Sequence, residues 1–467
     1  MGNTSSEIST APIPRKTYRF LLGMPLVLAP ALLGGARPWF WSVIAGIFFA
    51  GLVWLIWSGQ EPQRTGNFSK KWLIGLSLLL LYPLFQSLPL PPSLLTYLSP
   101  HLMLWKVSAA DVALAPSRYF SISYAPLVSF VSGLWWIFLA GYALLLRKAL
   151  REETNLNWFF HLLFWVAGFE AFYGLLQALI PSLGVLWEAP GQGWARGTFV
   201  NHNHYAAFMG MVWPVLLAYL LSVRTAFAGD QTFSSAGLEQ RKTIRQKNWF
   251  LGLVIGLVLL ALFFSQSRAG IIGALIALTV FVVFGKKWHK KGTIVLIVGC
   301  WLVMLAYGSL MGFDEILGRF EILQKDVPSR LDIWEDTWRL IQDHWLTGVG
   351  LGTYPEAIRI YQTHWALYWD IVHAHNDYLE LVADLGAPVA VAMVLLVWGY
   401  WWVCARGMVR KREAGTINKE QVEKRRVLAL GALAGSAAFL CHSWVEFNWQ
   451  IPANQLYFIV LLVLMKI

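Results

Sequence analysis

The sequence predicts an all-α integral membrane protein with about 12 transmembrane helices, both termini cytoplasmic and a large helical loop on the outer side near 312–377. Three observations carry this reading. The chain is 57% hydrophobic with only 13% charged residues and carries 26 Trp, a profile a water-soluble protein could hardly solvate. Apolar runs of about 17–25 residues, matching the helical thickness of a bilayer, recur along its length. Lys and Arg concentrate in alternate loops, as they do on the cytoplasmic side of membrane proteins.

The apolar runs fall at 18–34, 38–58, 72–88, 126–146, 156–180, 199–223, 248–266, 269–285, 292–311, 378–405, 427–446 and 452–467. With the N-terminus inside, most of the 37 basic residues lie in inner loops: Arg15, Lys16 and Arg19; Arg64, Lys70 and Lys71; Arg147, Lys148 and Arg151; the 224–247 connector; Lys286 to Lys291; and Arg406 to Arg426. Arg37, Lys106, Arg196, Arg268, Arg330 and Arg359 are among those left outside. The net charge of +11 is therefore an orientation signal. Its residues are dispersed among loops and not gathered on one face, which argues against a nucleic-acid partner.

The chain divides into a cytoplasmic tail, 1–17; N-terminal helices, 18–188, with an outer interfacial loop at 89–125; a region rich in polar motifs, 189–405, which includes the outer loop 312–377; and a basic loop with the last two helices, 406–467. Pro89, Pro91, Pro92, Pro100 and Pro116 punctuate the first outer loop around Leu94, Leu95, Tyr97 and Leu98, which predicts a short helix along the membrane surface. The GDQTFSSAG stretch makes 224–247 a solvated connector. In the large outer loop, Leu331, Trp334, Trp338, Ile341 and Trp345 recur at spacings of three and four, with Arg330, Asp332, Glu335, Asp336, Arg339 and Asp343 on other faces. That is an amphipathic helix, with Ser329 as N-cap and Asp332 placed to complete a capping box. LTGVGLGTY ends it, and a second short helix starts at Pro355. A lid over a site and a segment that packs on the membrane surface both fit this pattern.

Cys300, Cys404 and Cys441 all fall inside apolar runs, so no disulfide framework is indicated. The opening MGNTSS fits the myristoylation pattern, a short match that recurs by chance.

Three polar islands adjoin apolar runs: RGTFVNHNH from Arg196 to His204, SQSRAG around Arg268, and HAHNDYLE from His373 to Glu380. Ionisable groups there are costly to keep near hydrocarbon, so a paired or functional role is the default expectation. Arg196 and Arg268 face outward at the membrane boundary. A guanidinium stays protonated and presents a planar fork to phosphate oxygens, so the pair suits a diphosphate; the alternative for each is snorkelling to lipid head groups. Arg268 sits in a turn with almost no loop around it. A neutral imidazole at His373 or His375 can take a proton from a hydroxyl, with Asp377 or Glu380 to orient it, or else serve as a surface hydrogen-bonding group. Asn201, His202, Asn203 and His204 are placed to cap the sixth span. HNH and HAH put histidines two apart, on different faces of a helix, and neither a cysteine nor a close carboxylate cluster completes a metal site. A metal-free site is expected.

RGTFVNHNHYAAFM, SRAGIIGALIAL, SRLDIWEDTWRLIQDHWLTGVGLGTY, HAHNDYLELVADLGAPV and EFNWQIPANQLYF together resemble the bacterial O-antigen ligase and polymerase superfamily, from about residue 190 to 400 and again near the C-terminus. The first 180 residues match only as generic membrane spans. The resemblance implies that 189–405 is the catalytic region of a metal-independent, cofactor-free inverting glycosyltransferase. It works on the periplasmic face of the bacterial inner membrane, with a glycan carried on undecaprenyl diphosphate as donor. It implies that His375 is the base, followed by Asn376, and that Arg196 and Arg268 grip the diphosphate. Arg330, His373, Asn376, Asn201 and His204 become candidates for substrate binding. The acceptor is lipid A-core for a ligase, another repeat unit for an O-antigen or exopolysaccharide polymerase, or a protein side chain for a protein O-oligosaccharyltransferase; the expectation leans to the ligase. A twelve-span polysaccharide transporter or flippase and a structural membrane scaffold are the readings from other classes. No inverted repeat supports transport, and the polar islands gather at one face instead of the midplane.

Overall fold

The computed structural model describes residues 15–58, 70–112, 120–186, 193–226, 235–285, 330–363, 370–409 and 419–467, with the isolated positions Gly299, Leu302 and Ala306. The expected span at 292–311, the Lys286 to Lys291 cluster, Cys300, Arg64, the residues 1–14 and the Ser329 cap lie outside them. The helices are α1 (Arg15–Ala31), α2 (Pro38–Trp57), α3 (Lys70–Ser87), α4 (Pro92–Leu98), α5 (Pro100–Val112), α6 (Pro126–Ala149), α7 (Glu153–Leu179), α8 (His202–Ala226), α9 (Ser235–Phe264), α10 (Arg268–Phe284), α11 (Arg330–His344), α12 (Tyr354–Ile358), α13 (Asp377–Leu385), α14 (Ala387–Val409), α15 (Lys419–His442) and α16 (Pro452–Leu464). There is no strand among the described residues, only an isolated bridge between Leu90 and Phe120.

Most helices start and stop within a few residues of the apolar runs. Pro38, Pro126 and Pro452 open α2, α6 and α16 in the first turn, where the missing N–H costs nothing. Five described helices are long and apolar enough to cross a membrane: α2, α6, α7, α14 and the part of α8 from His202 to Val223. Within its apolar window α8 is 83% buried and α14 only 11%, so α8 is the centre of the bundle and α14 an edge. Small residues let α15 press onto α8: a methyl group at Gly435 would lie 2.3 Å from the Met211 carbonyl oxygen.

The structure corrects three local expectations. The 224–247 connector is not all loop: α9 already begins at Ser235, because LEQRKTIRQK contains strong helix formers and no Gly or Pro. The single interfacial helix in 89–125 is two, α4 and α5, divided at Ser99 and Pro100. They bury Leu95 and Leu102 against Leu90 and Ile122. The span at 378–405 is broken into α13 and α14 at Gly386, which sits at φ 76. A side chain there would lie 2.5 Å from the Leu346 carbonyl oxygen, so glycine lets two chain segments touch backbone to backbone.

α11 is amphipathic as expected, and the stripe named for it is split between its two faces. Leu331, Trp338 and Trp345 are exposed, while Ile333, Asp336, Thr337, Leu340, Ile341 and His344 are buried. The buried face is apolar where it meets Val349, Tyr354, Ile358 and Ala374, and its polar members are all hydrogen-bonded. Asp336 accepts from the Thr363 hydroxyl at 3.0 Å, and the Thr337 hydroxyl lies 2.7 Å from that of Tyr354. The Trp and Leu stripe is left for the surroundings of a membrane-bound lobe, where aromatic side chains suit the interface.

N-terminal helices hold this lobe in place. Gln86 at the end of α3 donates to the carbonyls of Thr347 and Asp384, both at 2.8 Å, and accepts from Leu351 N–H at 3.2 Å. His344 is enclosed by Ser99 Oγ at 3.3 Å from Nδ1, and by the hydroxyls of Tyr124 and Tyr361 at 3.3 and 3.2 Å from Nε2. Burial pushes its imidazole down to about 4, so it is neutral when folded. Unfolding frees it to take up a proton near its ordinary value of 6.5, so its contribution is fully present above that value and is lost as pH falls from 6.5 through 4, on the order of 3 kcal/mol in all. Amide exchange across 330–358, corrected for the intrinsic effect of pH, should therefore rise between pH 7 and 5 in the native protein and stay flatter in His344→Gln.

Candidate active site

The ends of α7, α9 and α15 and the starts of α8, α10, α13 and α16 meet at one end of the bundle. Backbone hydrogen bonds stitch their connections together: Ala195 N–H to the Phe264 carbonyl at 2.9 Å, and Asp377 N–H to the Ser443 carbonyl at 2.9 Å. The opposite end is held by basic side chains. Arg19 reaches the Thr154 carbonyl at 3.4 Å, Arg425 reaches the Arg151 carbonyl at 2.8 Å, and Lys424 pairs with Glu153.

His375 is presented by a pinned backbone. The neighbouring Ala374 donates its N–H to Glu380 Oε2 at 2.8 Å, and its carbonyl accepts from Trp334 Nε1 of α11 at 2.8 Å. Asn376 then caps α13, its side-chain oxygen accepting from the N–H groups of Tyr378 and Leu379 at 3.0 and 3.2 Å. Between these fixed points His375 takes φ 50, a left-handed conformation that costs a non-glycine residue on the order of 1–3 kcal/mol. Strain of this kind persists only where neighbours over-determine it.

Of the two carboxylates expected to orient a histidine here, one meets His373 and neither meets His375. Glu380 Oε1 lies 2.8 Å from His373 Nδ1, and the Asp377 carboxyl accepts from Trp449 N–H at 3.0 and 2.9 Å. The partner of His375 is Glu446, in the loop between α15 and α16, with Oε2 at 3.4 Å from Nδ1. Glu446 is 1% exposed and His375 33% exposed, an oriented ring with its acid buried behind it. The other oxygen of Glu446 accepts from Asn203 Nδ2 at 2.8 Å and is ion-paired with Arg330. Burial alone would raise the Glu446 carboxyl, but the hydrogen bond with His375 and the Arg330 charge outweigh it and hold the group at about 2. It is a permanent anion at neutral pH.

The next two residues complete the support. The Phe447 ring stacks on His373 at 4.1 Å between centroids and meets His204 and His375 edge-on at 4.4 and 4.9 Å. Asn448 Oδ1 lies 3.1 Å from His204 Nδ1. His204 is thus buried beneath the site.

The two arginines lie on stitched segments. His202 Nδ1 is 2.7 Å from the Ser265 carbonyl oxygen, and Ser267 caps α10 by accepting from Gly270 N–H at 3.2 Å. Arg268 opens α10, is exposed, and has no ion-pair partner among the described residues. Arg196 is half-buried, with Nη1 donating to the Val200 carbonyl at 3.3 Å. Asn201 accepts from Asn203 N–H at 2.8 Å, which caps α8 and leaves the Asn203 side chain to reach Glu446. Contacts running from the Ser265 carbonyl, three residues before Arg268, to His202, and from the adjacent Asn203 through Glu446 to His375, join all three polar islands.

Sequence reasoning missed Glu446 and Trp334. Glu446 stands in EFNWQ, an acid just beyond an apolar run, and extending that run to 446 hid it as a helix end.

Long apolar helices joined at one end by a hydrogen-bonded polar site make this a multi-pass membrane protein. Residues 253–394 match the family model for O-antigen ligases, which bears out, over that stretch, the resemblance read from the motifs. The matched stretch includes Arg268, Arg330, His373, His375 and Asn376; Arg196, Asn201, His204 and Glu446 lie outside it and join it through the contacts above. No curated protein matches the chain.

Proposed function

We propose that the protein transfers a glycan from undecaprenyl diphosphate to an acceptor hydroxyl, with inversion and without a metal or cofactor, on the periplasmic face of the bacterial inner membrane. The observation that supports this best is the His375–Glu446 pair, a partly exposed imidazole backed by a buried anion, on segments stitched to both arginines. With Nδ1–H directed to Glu446, the Nε2 lone pair is left to take the acceptor's proton. The freed oxygen attacks the anomeric carbon from the face opposite the diphosphate. The bond from that carbon to the diphosphate oxygen breaks, its electron pair leaves with the diphosphate, and Arg196 and Arg268 take up the charge. Arg330, committed to Glu446, sets the base; His373 and Asn376 shape its surroundings. The polyprenyl chain lies between helices among membrane lipids. In this orientation the basic end of the bundle is cytoplasmic, as the distribution of Lys and Arg requires.

The test is to supply purified protein with a synthetic undecaprenyl-diphosphate glycan and, in turn, lipid A-core, a second repeat unit and a protein acceptor. Release of undecaprenyl diphosphate with glycan on lipid A-core is expected; product on the other two would make it a polymerase or a protein glycosyltransferase. No product with any acceptor overturns the proposal and returns transport to consideration. Arg268→Ala should lower kcat/KM for the donor by about 10²-fold, the size of effect seen when one charge-stabilising donor is removed. Arg268→Lys should recover only part of it, because an ammonium cannot form the bidentate contact. Full recovery would reduce Arg268 to a point charge.

A further inference from the structure

One face of α7, in the part of the chain whose sequence reads only as generic spans, carries Glu170, Gly174 and Gln177 at positions i, i+4 and i+7. Glu170 and Gln177 are each 1% exposed. Glu170 lies nine residues before the end of α7 at Leu179, about 13 Å along the helix, so a carboxyl this deep in an apolar span calls for a partner and a purpose. Its partner is the loop that carries Arg196. Thr198 donates its N–H to Glu170 Oε2 at 2.9 Å, and its hydroxyl lies 2.7 Å from Oε1 and 2.6 Å from the Pro30 carbonyl oxygen of α1. Gln177 accepts from Arg196 N–H at 3.2 Å and donates to the carbonyls of Gly197 and Gly184 at 2.8 and 3.0 Å. The fit is tight: Gly197 sits at φ 53, and a methyl group there would lie 2.2 Å from Glu170 Oε2, while one at Gly174 would lie 2.4 Å from the Tyr205 hydroxyl. The backbone N–H at 196 and 198 and the carbonyl at 197 are thus all bonded to α7. A loop that dips below the helix ends must have its polar groups satisfied by protein, and these two side chains do so.

We propose that Glu170 and Gln177 are positioning residues that set the depth and direction of Arg196 toward the donor's diphosphate. This rests on the reading of Arg196 given above. The experiment measures donor and acceptor kinetics in proteoliposomes for Glu170→Leu, Glu170→Gln, Gln177→Leu and Arg196→Ala, with the double variants, and amide exchange over 193–201 for each. Glu170→Leu and Gln177→Leu should each raise the donor KM about tenfold and change the acceptor KM little. Glu170→Gln should recover most of the loss, since an amide still accepts from Thr198 N–H and meets its hydroxyl. Neither Leu variant should lower activity further once Arg196 is Ala, because the two changes act through one group. Losses that add fully to that of Arg196→Ala, or an unchanged donor KM in Gln177→Leu, overturn the proposal; should Glu170→Leu fail to accumulate, Gln177→Leu decides. If the native protein transfers from no lipid diphosphate, the function falls, while faster exchange confined to 193–201 in the Leu variants would still establish the platform and its absence would remove it.

Discussion

His375→Ala is expected to lower glycan transfer by about 10²–10⁴-fold, the range for losing a positioned general base. The amount of protein in the membrane should stay near that of the native chain, because the ring is 33% exposed and no core packing depends on it. The backbone at 375 needs care, since it is left-handed at φ 50. Alanine is less at ease there than asparagine, whose short polar side chain tolerates that region. His375→Asn therefore separates the two effects: it keeps the turn and removes the base, and it should be as inactive as His375→Ala. Transfer assayed in membranes at matched expression checks both. Near-native transfer by either variant would remove His375 from the reaction, whereas activity in the Asn variant alone would make the backbone turn the essential feature.

The fold was legible wherever one physical variable dominated. Apolar runs located most of the helices because burial in a bilayer needs length and hydrophobicity and little else. Reading failed where a neighbour decides. Averaged hydropathy runs straight across Gly386, although contact with Leu346 breaks the helix there. The stripe on α11 reads as one face, yet Leu331, Trp338 and Trp345 lie exposed while Ile341 turns in beside Ile333, Leu340 and the hydrogen-bonded Asp336, Thr337 and His344. The site divides in the same way. Arg268 and His375 stand out in short motifs, whereas Asn376 and Asn201, expected to touch substrate, have their side-chain oxygens engaged as helix caps. Glu446 comes 71 residues after His375, and only tertiary structure could pair the two.

That pairing makes Glu446→Gln the more discriminating substitution, because it changes one atom and leaves the shape alone. Oε1 of Glu446 faces two donors, Asn203 Nδ2 and the Arg330 guanidinium, while Oε2 faces His375 Nδ1. A glutamine must keep its oxygen toward the two donors, which turns its NH₂ onto His375. The imidazole can then accommodate it only with the lone pair on Nδ1 and the hydrogen on Nε2, the tautomer that cannot accept the substrate's proton. The expected result is a fall in kcat of about 10²–10⁴-fold, comparable to replacing the orienting acid of a serine-protease triad by its amide, with donor KM little changed. Glu446→Ala should be as inactive and less stable, since it also leaves Arg330 and Asn203 without their acceptor. Acid tells the native carboxylate from both variants. A carboxyl held at about 2 when folded against an ordinary 4.5 contributes stability that is fully present above 4.5 and is lost as pH falls toward 2, so the native chain should weaken across that window and both variants should not. A Glu446→Gln protein that transfers glycan at the native rate would show that His375 acts without its carboxylate, and the buried anion would then belong to Arg330 alone.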